Sequence, residues 1–300
     1  MSGEPRPRGE AERRVWVLNL DAEIEIEGRT PYPGPFAALA SRPELAQNLI
    51  QLVPDGDIVL RGSIKERLDG HLVGRAWCLT STARRALQRI GAEVPAQPTH
   101  EVLERVTSRA FSSSLGLLLD GARFFPSASV LGDVLQTIDA KPSWLARRNY
   151  GFAGRGRRAV RRGPLQEADL GFIRRALREG GLLLEPLVKR SADFSLHGYV
   201  RGGEIVLGEP TVSEVDTGGV WRGSRRADRD ELRAREREEL VEQARIAAKA
   251  LDAHGYEGAF GVDAFRYVDD GAERFCPRCE INARYSMGWA VGMGDRRPDL

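Results

Sequence analysis

The sequence predicts a mixed helix-and-strand protein, α/β (α+β) in class, on three observations. Compact apolar runs suited to strands alternate with helix-like stretches between Val15 and Ile90. The segment from Gly258 to Asn282 alternates apolar and polar residues on either side of a turn at Asp269-Asp270-Gly271, which reads as a β-hairpin. Residues 228–254, just before it, place Leu232, Leu240, Ala244, Ala247 and Leu251 at near-helical spacing, which reads as one long helix.

Taken in order, residues 15–20 read as a strand, 41–52 as a helix and 57–60 as a second strand. A third strand is expected over 75–79, followed by a helix over 81–90, capped by Ser81 or Thr82 and ended by Gly91. Pro95, Pro98 and Thr99 mark a linker, and 101–115 reads as a helix. Residues 124–127, 144–147 and 182–188 suit strands, as does the run through His197 to Val200. The charges at Arg235 to Glu238 read as a solvated helix face, and Trp144 and Trp289 as core. These elements divide the chain into a disordered head (1–14), an N-terminal α/β domain (15–100) and two further units (101–185 and 186–300).

Composition narrows the function classes. The net charge of +2 over 300 residues gives no basis for a nucleic-acid or acidic-membrane partner. Three cysteines, Cys78, Cys276 and Cys279, are too few for a disulfide scaffold and imply a reducing compartment. No apolar run reaches the ~18 residues of a membrane span, and the polar start lacks the apolar core of a signal peptide. A soluble cytoplasmic protein is the expectation.

Chemistry concentrates in the hairpin. A turn near Gly271 sets Asp263 opposite Glu280, and Glu280, Asn282 and Arg284 share a face because side chains alternate along a strand. Two carboxylates and an amide oxygen are the hard ligands that Mg²⁺ takes, with positions left for phosphate oxygens. A solvated hairpin with ordinary surface charges is the alternative, but Phe260, Val262, Phe265 and Ile281 make a wet sheet a poor fit. A second cluster sets Gly151, Gly154 and Gly156 among Arg147, Arg148, Arg155, Arg157 and Arg158, a composition that cradles phosphate. Its match to the dinucleotide fingerprint fails on context, because Arg161-Arg162-Gly163-Pro164 leaves no room for the helix, so a loop between two strands is expected. The protein-kinase motifs are absent: Asp193-Phe194 is followed by Ser195 rather than Gly. Cys276 and Cys279 form half of a zinc pattern with no second pair, and read as spare thiols. His197 reads as a packed histidine, and residues 211–226 as either a substrate loop or a surface connection.

The ordered set is a basic Gly-rich loop, a strand ending Glu185-Pro186-Leu187-Val188, an acid at Asp193, then Gly261-Val262-Asp263-Ala264-Phe265 and Glu280-Ile281-Asn282-Ala283-Arg284. Over residues 100–295 this resembles the ATP-grasp superfamily of ATP-dependent carboxylate ligases. The resemblance implies an N-terminal α/β domain followed by two subdomains that clasp ATP between antiparallel sheets. It implies that Arg147 takes the place of the usual phosphate-binding Lys, a planar fork in place of a point charge, with Arg148 sharing the duty. Gly154, Arg155 and Gly156 would form the phosphate lid, Glu185, Leu187 and Val188 would border the adenine, and Asp193 would hold the ribose. Asp263, Glu280 and Asn282 would bind Mg²⁺, and Arg284 would be the catalytic cation. The implied activity is an ADP-forming ligase that joins a small-molecule or peptide carboxylate to an amine through an acylphosphate. A small-molecule phosphotransferase and a nucleotide-binding regulatory module are the alternatives.

Overall fold

The computed structural model describes residues 13–28, 31–41, 49, 51–64, 66–151, 156–215 and 221–300. The N-terminal alternation builds a three-stranded parallel sheet in the order β2-β1-β3 from β1 (Arg13–Val17), β2 (Ile58–Leu60) and β3 (Leu72–Ala76). Alternation along β1 sends Val15 and Val17 to a small core with Leu72, Ala83, Leu87 and Ile90, while Trp16 enters the main core on the other face. The short helices α1 (Ala22–Ile26) and α2 (Ala37–Ser41) follow β1, and α3 (Ser81–Arg89) follows β3. Gly91, at φ +85°, ends α3 as expected. The expected caps differ. Thr80 holds the N-cap position, while Thr82 lies inside the helix and donates its backbone N–H to Glu25 at 2.9 Å. The first strand starts two residues before the expected position and the third starts three before, and most of the helix expected over 41–52 lies outside the described residues.

The single helix expected over 101–115 is two helices, α4 (His100–Val106) and α5 (Arg109–Ser114). The break has a local cause. Ser108 takes an extended conformation and its hydroxyl accepts from the Phe111 N–H at 3.1 Å, starting a new helix, much as Thr99 caps the first.

The second sheet is antiparallel, ordered β4-β7-β5-β6, from β4 (Arg123–Phe125), β5 (Ser143–Arg148), β6 (Arg157–Arg161) and β7 (Leu182–Pro186). Trp144, Ala146, Leu182 and Leu184 pack on α6 (Leu131–Asp139) and α7 (Glu167–Arg178). The alternate residues, Arg147 and Glu185, therefore point to the opposite face.

The third sheet is antiparallel and the largest. Its order is β11-β10-β8-β12-β13, from β8 (Lys189–Arg201), β10 (Thr211–Val215), β11 (Trp221–Arg226), β12 (Gly258–Asp269) and β13 (Ala272–Asn282), with β9 (Glu204–Leu207) also on β8. Phe194, Leu196, Val200 and Val262 pack on α8 (Ala234–Ala253), which buries Leu240, Ala244, Ala247 and Leu251 as the spacing predicts. The helix starts at Ala234 rather than Asp228, and Leu232 joins the core from the preceding turn. The solvated-face reading of Arg235 to Glu238 fails at Glu236, which is buried and accepts two hydrogen bonds from Arg266 of β12. Residues 211–226, left open between loop and connection, form the β10–β11 hairpin, with 216–220 outside the described residues. A short helix, α9 (Trp289–Met293), closes the chain over β8, and Trp144 and Trp289 are fully buried. No described helix is long and apolar enough to cross a membrane.

Candidate active site

The β12–β13 hairpin turns through Asp270 (φ 47°) and Gly271 (φ 78°) and sets Asp263 opposite Glu280, with Gly261 opposite Asn282. Alternation on β8 brings Asp193, Ser195 and His197 to the same face, with Ser195 beside Asp263. The Ser195 hydroxyl donates to Asp263 Oδ1 at 2.7 Å and the Asn282 amide to Oδ2 at 2.8 Å. Burial, and then the neighbouring Glu280, push the Asp263 carboxyl above its usual range despite these bonds.

Glu280 is held differently. Arg147 reaches across from the second sheet to its Oε2 at 2.5 Å, and Arg109 of α5 reaches Oε1 at 2.7 Å. Burial alone would raise this carboxyl, but the two guanidinium groups prevail and hold it down at about 2. Arg147 also pairs with Glu185 at 3.2 Å, so one arginine links both sheets. Burial opposes its charge, and Glu280 and Glu185 overcome that and raise its pKa. Arg109, buried and repelled by Arg147, is shifted down. Arg284 pairs through Nε with Glu23 of α1 at 2.6 Å, and its charge is felt by both Asp263 and Glu280.

Arg147, Glu185 and Glu280 are thus joined by ion pairs, Asp263 and Asn282 by a hydrogen bond beside Glu280, and Arg284 lies near enough for its charge to act on both acids. Arg148 is turned away into ion pairs with Glu27 and Glu179. Asp193 lies at the rim, paired with Arg190 at 3.0 Å, and the Arg190 guanidinium stacks on Phe265. Val188 packs with Leu119, Phe265 and Cys276, whereas Leu187 is 47% exposed. Gly154 and Arg155 lie outside the described residues. Gly156 closes the β5–β6 loop at φ +74°, where an added Cβ would stand 3.0 Å from the Tyr150 carbonyl, so a side chain there would be strained. The pairing of β5 with β6 places that loop between two strands, as the sequence indicates.

Arg109, Ser195 and Glu23 escaped the sequence reading. Arg109 and Glu23 carry no motif and meet their partners only through tertiary structure, whereas Ser195 was legible in principle as the alternate neighbour of Asp193 on the strand. His197 is packed: its Nε2 faces Thr211 Oγ1 at 3.2 Å and its Nδ1 faces Ser286 Oγ at 3.1 Å. The Thr211 hydroxyl donates to the Ser195 carbonyl, so Nε2 carries the proton and Nδ1 accepts from Ser286. Burial lowers this imidazole to about 3, so it is neutral at pH 7. The three cysteines are free thiols.

Among the described residues no set of three His, Cys, Asp or Glu side chains forms a metal centre by itself. The donor set nevertheless fits Mg²⁺ shared with phosphate. Asp263 and Glu280 are adjacent anions whose repulsion a divalent cation would relieve, and Asn282 supplies an amide oxygen. Phosphate oxygens that recruit Arg147 and Arg109 would release Glu280 to act as a ligand.

No family model matches the chain, and no curated protein matches its sequence. Solved structures do match. The chain superposes on D-alanyl-alanine synthetase A from Vibrio cholerae O1 biovar eltor with a TM-score of 0.53 at 14% identity, covering 92% of this chain and 90% of that one. D-cycloserine synthetase DcsG gives 0.51 at 13%, covering 94% and 97%. Carboxyaminoimidazole ribonucleotide synthase from Aspergillus clavatus, complexed with ATP, gives 0.50 at 15%, covering 92% and 71%. At these identities the likeness is one of fold.

Proposed function

We propose that this chain, which has the ATP-grasp fold, is an ATP-dependent ligase that activates a carboxylate as an acylphosphate and joins it to an amine. One observation carries the reading: paired acids and an amide on a hairpin, Asp263, Glu280 and Asn282, are faced by Arg147 and Arg109 from outside that sheet. Such an arrangement offers oxygen ligands from the hairpin and phosphate donors from the arginines that face it. Two neighbours of the fold are named as synthetases of amino-acid-like products, and a third holds ATP.

In the proposed reaction a carboxylate oxygen attacks the γ-phosphorus, the bond to the β,γ-bridging oxygen breaks, and ADP leaves. An amine nitrogen then attacks the acyl carbon, phosphate departs with the carbon–oxygen pair, and the nitrogen loses a proton. Mg²⁺ held by Asp263, Glu280 and Asn282 would neutralise phosphate charge. Arg147 and Arg109 exchange Glu280 for phosphate oxygens and orient the chain of phosphates. Arg284, fixed by Glu23 at the border of the N-terminal unit, stabilises charge on the transferring group. Residues 15–100 would supply substrate selection, and 101–185 with 186–300 the nucleotide site.

Hydroxylamine tests the chemistry, because it intercepts a mixed anhydride and leaves a phosphate ester untouched. With ATP, Mg²⁺ and an accepted carboxylate, a hydroxamate should form without the natural amine, and Arg284→Ala should reduce its yield by about 100-fold or more while ATP still binds. A stable phosphorylated product with no hydroxamate would instead identify a phosphotransferase, and nucleotide binding without turnover a regulatory module.

A further inference from the structure

Beyond Arg284, between β3 and the adjoining ends of β8 and β12, lies a crevice of about 90 Å³ walled by Trp77, Leu79, Tyr199, Tyr256, Ala259 and Arg284. Its volume is several times the ~10–15 Å³ that one water needs. Arg284 borders both regions: it lines the crevice, and its charge acts on Asp263 and Glu280.

Three features specify what fits. Trp77 is 4% exposed, and its indole N–H is buried with no partner among the described residues. An unpaired buried donor is costly, so an acceptor atom there is favoured. The Arg284 guanidinium lies 5.5 Å from the Trp77 ring centroid, which puts positive charge beside that donor. Arg75 and Arg201 also line the crevice and have no carboxylate partner among the described residues; Arg75 donates only to the carbonyls of Asp299 and Gly74. Two acids oppose the three guanidinium groups, Glu257 on the wall and Glu23 paired with Arg284, and the remaining positive charge favours an anion over an amine. The rest is apolar. The Tyr256 hydroxyl is spent on the Ala259 carbonyl and that of Tyr285 on Asp299, so both present rings rather than hydroxyls.

We propose that this crevice holds the carboxylate substrate, and that it selects a small carboxylate with an apolar, ring-sized body whose oxygen accepts from the Trp77 indole beside Arg284. This rests on the ligase reading above and names its substrate class.

Phenylacetate is the probe and benzylamine its cationic counterpart. In ¹⁵N-labelled protein the five tryptophans give five side-chain N–H signals, and Trp77→Phe, which keeps an aromatic ring but removes the N–H, identifies the one to follow. Phenylacetate should move that signal saturably and benzylamine should leave it in place. Trp77→Phe should raise the KM for phenylacetate-stimulated ADP release about 10-fold, the loss of one hydrogen bond to a charged group. Its kcat and its stabilisation by Mg·ATP should stay at parent values, which also shows the variant is folded. A Trp77 signal that phenylacetate leaves unmoved, or that benzylamine moves equally, would overturn the proposal and leave a hydrated crevice. A saturable shift without ADP release would support the crevice and count against the ligase reading.

Discussion

Asp263 and Glu280 face each other across one hairpin, yet their carboxyls shift in opposite directions. The difference lies in their partners: two guanidinium groups for Glu280, a hydroxyl and an amide for Asp263. Glu280, depressed from 4.5 to about 2, adds stability that is complete above 4.5 and is lost as pH falls toward 2. Asp263, raised above 3.8, works the other way, and its ionisation costs stability as pH rises through its folded pKa. His197 gives a separable test. Neutral in the fold, with a pKa lowered from 6.5 to about 3, it leaves stability intact above 6.5 and removes it as pH falls through that window, by an amount of order a few kcal/mol. His197→Gln should flatten the decline of the urea midpoint between pH 6.5 and 3, and an unchanged slope would show that the imidazole is not the titrating group. The Asp263–Glu280 pairing was legible because a strand's alternation is local. Arg109 lies 171 positions from Glu280 and Glu23 lies 261 from Arg284, and no local pattern encodes such meetings.

At the scale of elements, the hairpin and α8 were readable from turn chemistry and apolar spacing. The α4–α5 break was missed because the apolar pattern runs on through Ser108, whose hydroxyl can cap a helix as well as sit within one. The Cys276-Pro277-Arg278-Cys279 stretch drew attention for its thiols, but the residue that binds elements together is Arg278. Buried with no carboxylate partner among the described residues, it donates to Gln243 of α8, to the carbonyl of Ser112 within α5 and to those of Leu115 and Gly116 just after it. That fork fastens β13 to α5, which carries Arg109. Arg278→Lys, a point donor, should leave several carbonyls unpaired and lower stability by ~2–4 kcal/mol in denaturant titration. A loss below about 0.5 kcal/mol, the scale of an ordinary surface change, would mean that water replaces the fork.

Across the whole molecule, the second and third sheets and helices α1 and α5 meet where Arg147, Arg109, Arg284 and the hairpin acids converge, so this cluster is made by the assembly of elements that the sequence shows only singly. The order of motifs identified the fold because short signals in fixed sequence constrain one another, while substrate selection, proposed for the N-terminal unit, left no motif. We propose that Asp263, whose carboxyl burial and Glu280 push above its usual range, serves to bind Mg²⁺ with ATP. Thermal unfolding of the parent and of Asp263→Asn, each with and without Mg·ATP, tests it directly. The parent should gain several degrees at saturating nucleotide, since ligand at ~100 times its Kd adds about 2.7 kcal/mol. The variant, which removes a part-buried carboxyl beside Glu280, should unfold at or above the parent's temperature without ligand and gain nothing from Mg·ATP. Equal stabilisation of the two proteins by Mg·ATP would contradict the assignment.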